Sequence, residues 1–315
     1  MSDSKLHLGL DAGELSLKVV LYDAANNAIV RAASLDMPVP PLNDVATFEN
    51  ALQTWLSENQ IEIDDVASIS LTTSSFRAVV KQIVVPPEVA DIPAYLSWYL
   101  STLVNDSPKR YFIDYQMIYE DKELGSTVLF VALRNEWVDA ARKGFRNKKL
   151  APQLMNVDVI SMMNLLEASL EDAAELHCAV KADIAGVSVM WISKDNLRLL
   201  RGVSTIELVG REQVDAYQIL AHGIAEQLED AKKSSGIDTP KIFLCGDIAT
   251  DQLFFNILKA HLKGVEVELV DKFPKLILPE NPDEAALLPL CVGALGAAVQ
   301  AAASIPASAT KEASV

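Results

Sequence analysis

Leu6-His7-Leu8-Gly9-Leu10-Asp11-Ala12-Gly13-Glu14-Leu15-Ser16-Leu17-Lys18-Val19-Val20-Leu21 is a short apolar run that reaches an aspartate and a glycine, turns a polar corner and resumes as an apolar run carrying one lysine. The pattern predicts a hairpin of two buried strands. At its tip, Gly13 permits a sharp turn whose amides face a bound anion, Asp11 suits the hydration shell of a metal, and Lys18 suits phosphate oxygens. Taken alone, the same residues also describe an ordinary hairpin with a glycine at its bend and a solvated lysine.

The pattern recurs. Cys178-Ala179-Val180-Lys181-Ala182-Asp183-Ile184-Ala185-Gly186-Val187-Ser188-Val189-Met190-Trp191-Ile192 again runs strand, aspartate, small residues, strand, and Lys241-Ile242-Phe243-Leu244-Cys245-Gly246-Asp247 ends a later strand at a glycine. Two aspartate-bearing hairpins that open two halves, followed by a strand ending in glycine before a helix, resemble the phosphate-one, phosphate-two and adenosine motifs of the actin-like ATPase superfamily. The resemblance implies an α/β, actin-like (ribonuclease H-like) two-domain fold. It also implies a nucleotide site drawn from Asp11, Gly13, Lys18, Asp183, Gly186, Ser188 and Gly246, with Asp11 and Asp183 arranging magnesium when ATP binds.

The composition bounds the rest. A chain of 315 residues, 50% hydrophobic and 22% charged, has material for about two domains with real cores. Its formal charge of −16 leaves no basic field for nucleic acid or an anionic membrane. Cys178, Cys245 and Cys291 stand among apolar residues and read as reduced core thiols, and His7, His177, His222 and His261 show no ligand spacing. Met1-Ser2-Asp3-Ser4-Lys5 lacks the features of a signal peptide, and no apolar run reaches membrane-spanning length, so the expectation is a cytoplasmic protein.

Along the chain, Ala28 to Leu35 reads as a third strand, Asp44 to Asn59 as a helix capped by Asn43 or Asp44, and Val66 to Leu71 as a strand. From Thr72 the character changes. A β-rich run from Ser75 to Val85 ends at Pro86-Pro87, a helical stretch carries Tyr95, Trp98 and Tyr99, and strands follow at Tyr111 to Ile118 and Thr127 to Leu133, with a helix from Asn135 to Asn147. This order resembles the inserted small α/β subdomain of PilM, the actin-like protein of type IV pilus assembly, with FtsA as a relative; the cytoplasmic part of GspL is also similar. Asn156 to Leu166 matches the helix that returns PilM-like chains to their first domain. The implied organisation is a first domain of residues 1–71 and 152–174, an insert of 72–151, a second domain of 175–302 and a disordered tail of 303–315. In the second domain, Asn196 to Gly202 reads as a strand, Arg211 to Lys233 as a helix closed by Gly236, and Leu287 to Ala302 as a final helix. Tyr95, Trp98, Tyr99, Tyr111 and Tyr115 read either as core or as a peptide-binding wall. The basic run Arg142 to Lys149 reads as a helix end complementing the helix dipole, with contact to acidic head groups or a partner tail as the other reading.

The departures from the family bear on function. Glu14 and Leu15 replace small residues after the first Asp-x-Gly, and a carboxylate beside a triphosphate costs binding energy. Ala185 and Val189 stand where the family has Gly and Thr, Asp247 replaces a second glycine, and the small subdomain expected between Gly202 and the next helix is missing. The expectation is therefore a degenerate nucleotide site with no cofactor, ATP and Mg2+ entering only if the site works. The implied function is a cytoplasmic scaffold of a pilus or related secretion machine, peripheral to the inner membrane. Its partner would be the N-terminal cytoplasmic tail of a single-pass inner-membrane protein, and self-association is allowed. The edge of the run carrying Phe76, Arg77, Val79, Lys81 and Ile83 is the expected place for an added strand, an internal strand being the other reading. An active ATPase of the same fold and a small-molecule kinase of the sugar-kinase superfamily are the alternatives.

Overall fold

Every residue from His7 to Ala12 is buried in the strand β1 (Leu6–Ala12), which is covered on both faces. The computed structural model describes residues 6–121, 123–169, 176–184, 186–193, 196–204, 211–273 and 275–304. After β1 come β2 (Ser16–Asp23) and β3 (Ala28–Asp36), joined as an antiparallel meander, then helix α1 (Val45–Glu58) and strand β4 (Val66–Thr73), which lies parallel to β1. Asp44 supplies the cap of α1, its carboxylate accepting from the Thr47 amide at 3.2 Å, and Phe48, Leu52, Trp55 and Leu56 are the buried stripe.

The insert follows. Strands β5 (Ala78–Val85), β6 (Tyr111–Asp121) and β7 (Gly125–Arg134) form a three-stranded antiparallel sheet in the order β5-β7-β6. Helix α2 (Ile92–Leu103) sits between β5 and β6 in sequence and packs Leu96 and Leu100 on Val128 and Phe130. Tyr95, Tyr99 and Tyr111 join this small core, whereas Trp98 stays exposed. Helix α3 (Asn135–Lys143) packs instead against the first sheet's core with Phe145, which meets Phe48 edge-on.

A four-residue strand, β8 (Leu154–Val157), then returns the chain to the first sheet beside β4. It absorbs Asn156 and Val157, which the sequence places in a helix, so helix α4 (Asp158–Ser169) begins two residues later. The first sheet reads β3-β2-β1-β4-β8. The second half repeats it with β9 (His177–Asp183), β10 (Gly186–Ser193), β11 (Asn196–Ser204), β12 (Lys241–Cys245) and β13 (Glu266–Leu269), ordered β11-β10-β9-β12-β13 with the same sequence of antiparallel and parallel pairings. Helices α5 (Gln213–Ser235) and α6 (Gln252–His261) cover its outer face. Gly236, in the left-handed region at φ 66°, closes α5 as expected.

Between the two sheets lie α4 and helix α8 (Val292–Ser304), preceded by the short α7 (Pro282–Ala286). The expected final helix from Leu287 thus starts five residues later and runs to Ser304, into the stretch expected to be disordered; that expectation from 305 onward lies outside the described residues. Gly9 makes the close approach of α8 to β1 possible, since a Cβ there would stand 1.9 Å from the Ala294 carbonyl oxygen. All three cysteines are buried and unpaired, and burial pushes their thiols up, that of Cys291 to about 12. No helix among the described residues is long and apolar enough to cross a membrane.

Candidate functional site

The two hairpin tips meet in a cleft between the sheets, and a lysine stands at their meeting point. On β9, Lys181 and Asp183 are two residues apart and share a face of the sheet. The Lys181 ammonium donates to the Asp183 carboxylate and, at 2.8 Å, to Asp158 Oδ2 at the start of α4; Asp11 Oδ2, from the first half, stands 3.7 Å away. Lys181 and its three carboxylate partners are all buried. Asp158 Oδ1 accepts from the amides of Ser75 at 2.9 Å and Val159 at 2.7 Å, and Asp183 Oδ1 accepts from the Asp247 amide at 2.8 Å. A second ion pair crosses the same cleft, Lys18 Nζ to Asp247 Oδ1 at 2.5 Å.

The protonation states follow from this arrangement. Burial opposes the charge on Lys181, but the carboxylates of Asp11, Asp158 and Asp183 outweigh it and hold the pKa well above the usual lysine value. Burial likewise opposes the charge on Lys18, and Asp11, Asp183 and Asp247 together raise its pKa. Asp183 is pushed up by burial yet ends below the ordinary carboxylate value because Lys181 and Lys18 face it. Asp11 ends on the other side. Burial raises it to about 6, Lys181 and Lys18 recovering only part of the loss, and its Oδ2 has no hydrogen-bond partner.

The remaining residues expected to hold a nucleotide also meet partners within the chain. The Gly13 amide donates to Ser16 O at 2.9 Å, closing the first turn on itself. Gly186 makes room for an aromatic ring, not a phosphate, since a Cβ there would lie 2.4 Å from Phe76 Cζ. Ser188 Oγ lies 3.3 Å from Ser75 Oγ. Gly246, at φ 100°, packs against the second hairpin, where a Cβ would stand 2.5 Å from both Ala182 O and Asp183 Oδ1. The segment Ser75–Arg77 is what covers the tips. Arg77 reaches from it to Glu14 through two hydrogen bonds, Nε–Oε1 at 2.9 Å and Nη2–Oε2 at 2.5 Å, with its guanidinium 5.5 Å from the Trp137 ring. Val189 is fully buried in the second core, and Ala185 lies outside the described residues.

Asp11, Asp158 and Asp183 have the oxygen chemistry of a magnesium site. Their centre, however, holds the Lys181 ammonium, and among the described residues no group of three His, Cys, Asp or Glu is disposed to hold a metal. The residues present do not fit a divalent cation.

A different concavity is open. A cavity of about 420 Å3 lies between β6 and β8, floored by Leu129, Val131 and Ile160 and walled by Asn156, Asn164 and Gln300. Arg142 and Asp114 bring one charge of each sign to it, and Phe112 and Tyr115 of β6 line it while remaining partly exposed. Among the described residues, β6 pairs only with β7 and β8 only with β4, so each stands at the edge of its sheet. A second cavity, of about 650 Å3, lies between β5 and β11. Of the residues expected at a partner's strand, Phe76, Val79 and Lys81 line this second cavity. Arg77 is held by Glu14, and Ile83 packs on the insert's core. The basic run is largely spent locally, Lys148 Nζ donating to the carbonyls of Lys143 and Phe145 at 3.1 and 2.8 Å, and Lys149 pairing with Asp64 at 2.5 Å.

The duplicated five-stranded sheets, with paired hairpins facing across a cleft, match known structures. The solved PilM–PilN type IV pilus biogenesis complex contains a chain that superposes with a TM-score of 0.75 at 18% identity, over 94% of this chain and 98% of that one. The fold is actin-like, of the PilM type. A Bacteroides thetaiotaomicron protein with an actin-like ATPase fold matches at TM-score 0.52 and 10% identity over 84% of this chain and 91% of its own. The component A of (R)-2-hydroxyglutaryl-CoA dehydratase from Acidaminococcus fermentans matches at 0.50 and 12% over 95% and 98%. No protein-family model and no curated protein sequence matches the chain.

Sequence reasoning missed Lys181 and Asp158 as site residues. For Lys181 a signal was present, because a lysine inside a buried strand, on the same face as an aspartate two residues later, requires a counter-charge. For Asp158 there was none, since Ser75 and Lys181, the partners that place it in the cleft, lie far from it in sequence. The β6–β8 groove was not placed from the sequence, which put the partner's strand on the run from Phe76 to Ile83, because β8 is too short to stand out as a strand.

Proposed function

We propose that this chain is a PilM-like scaffold of a type IV pilus or related secretion machine, which holds the N-terminal cytoplasmic tail of a single-pass inner-membrane protein and does not turn over ATP. The observation that carries this reading is the open groove between β6 and β8. Its two edge strands and apolar floor suit an extended segment, which binds by main-chain pairing with alternate side chains laid into pockets. The fold similarity to the PilM of a PilM–PilN complex supports a partner of this kind. Such a partner would place the protein at the cytoplasmic face of the inner membrane. The filled cleft supports the absence of turnover, since Lys18 and Asp183 are held by partners within the chain and the Lys181 ammonium stands before Asp11.

The test is a calorimetric titration with synthetic tails of candidate membrane proteins against wild type, Leu154→Arg and Asn164→Arg in the groove, and Lys81→Ala in the second cavity. Binding lost in the two groove variants and kept by Lys81→Ala is the expected result. Binding that depends on Lys81 instead would move the site to the β5 edge. No binding to any tail would remove the scaffold reading's support.

A further inference from the structure

We infer that Lys181 is a built-in replacement for the cation of an actin-like cleft, a covalently attached ammonium that ties the two halves together without nucleotide or metal. The inference deepens the reading of the cleft as closed to nucleotide and rests on it. Three observations lead there. First, the ammonium faces carboxylates from three separate parts of the chain: it donates to Asp183 on its own strand and to Asp158 at the start of the helix between the sheets, and it stands 3.7 Å from Asp11 across the cleft, an ion-pair distance without a hydrogen bond. An ion pair within one hairpin would join nothing; this one joins both halves. Second, the position two residues before the hairpin aspartate is Gly9 in the first half and Lys181 in the second. Gly9 admits the α8 backbone, and Lys181 instead sends a charge to the centre, so the duplicated strands differ at the position that decides what fills the cleft. Third, the cations and their partners cross in both directions. Lys18 of the first half is held by Asp247 of the second at 2.5 Å, while Lys181 of the second half faces Asp11 of the first. A nucleotide with its metal would have to displace both lysines to reach the carboxylates.

The ammonium occupies the place between Asp11, Asp158 and Asp183 that a divalent ion would need, and its positive charge repels a second cation from that place. The closed arrangement should then be insensitive to magnesium. Removing the ammonium should leave three buried carboxylates that repel one another across the cleft and drive the hairpin tips apart.

The experiment uses the full chain. Wild type is titrated with Mn2+ and followed by electron paramagnetic resonance, and backbone hydrogen exchange is measured at the hairpin tips in wild type, Lys181→Ala and the charge-matched double variant Lys181→Met/Asp183→Asn. Wild type should show no Mn2+ binding that Asp11→Asn or Asp183→Asn abolishes. Lys181→Ala should exchange at least about tenfold faster at Gly13 to Leu17, and added ethylammonium, but not tetramethylammonium, should restore part of the protection. If Lys181→Ala does not fold, the double variant carries the test, with the same loss of protection expected from a chain that has lost one charge of each sign. Mn2+ held by Asp11 and Asp183 in wild type would overturn the inference. So would unchanged protection in the folded variants, or protection restored equally by both ammonium ions. Magnesium-dependent ATP turnover by wild type would count against the closed cleft itself. Failure of exchange to respond, with turnover still absent, would count against the lysine alone.

Discussion

The cleft between the two five-stranded sheets and the groove between β6 and β8 are built from opposite materials. In the cleft, most charged side chains are satisfied by one another, Lys181 by Asp158 and Asp183, Lys18 by Asp247, and Arg77 by Glu14, while Asp11 faces Lys181 without a hydrogen bond to its Oδ2. In the groove, apolar side chains and edge strands face open volume. The difference shows how one fold can close one concavity and leave another for use. A cleft of this kind separates halves that must be held together, and buried ion pairs between halves do this at a desolvation cost that partnering offsets. A groove beside a strand edge needs no such closure, because its unpaired backbone groups can be served by water until an extended segment takes their place.

The largest effect expected from breaking this contrast is at Lys181. Lys181→Ala leaves three buried carboxylates without their common partner, and denaturant unfolding should show a loss of about 3–5 kcal/mol. A loss below about 1 kcal/mol would mean that water and relaxation replace the ammonium. The pH dependence gives the next effect. Asp11 has a folded-state pKa of about 6 against an ordinary 3.8, so between these values the folded chain binds more protons than the unfolded one, and the contribution of Asp11 to stability falls as pH rises through this window. The contribution is fully present below pH 3.8 and lost above pH 6, by about 3 kcal/mol at most. Asp11→Asn should therefore gain on wild type as pH is raised from 4 to 6, and a constant difference across that range would show that Asp11 is not held in this way. In the groove, Leu154→Arg should weaken tail binding by about tenfold or more, the equivalent of about 1.4 kcal/mol, while leaving the unfolding midpoint nearly unchanged. Smallest of all is the partly exposed Arg77–Glu14 pair. Glu14→Gln should cost about 1 kcal/mol or less by the same unfolding assay, and a larger loss would make this pair part of the lock.

The fold was largely legible because its deciding elements are buried strands that bend at an aspartate and a glycine, a signal local to a dozen residues and present twice. That repetition pairs Asp11 with Asp183, and the structure places both carboxylates beside the Lys181 ammonium. What was not legible is what fills the cleft. Lys181 could be read as a buried strand lysine, but its engagement with Asp158 joins residues on different elements, and only the packing of α4 between the sheets brings them within 2.8 Å. Phe76 and Gly186 show the same limit. Each has a local reading, one as an edge residue and the other as a phosphate-loop glycine, yet the ring of the first occupies the space that the second leaves. Similarly, the helix expected from Asn156 begins at Asp158, because β8 takes only four residues and carries no alternation long enough to separate it from the helix that follows.

The contrast between a filled cleft and an open groove is tested most directly by titrating one preparation of the full chain calorimetrically, first with ATP and magnesium and then with the cytoplasmic tail of a candidate inner-membrane partner. The account predicts no heat of binding for the nucleotide and a saturable isotherm for the tail that Leu154→Arg removes. Micromolar affinity for magnesium–ATP, lost on Asp11→Ala, would contradict it.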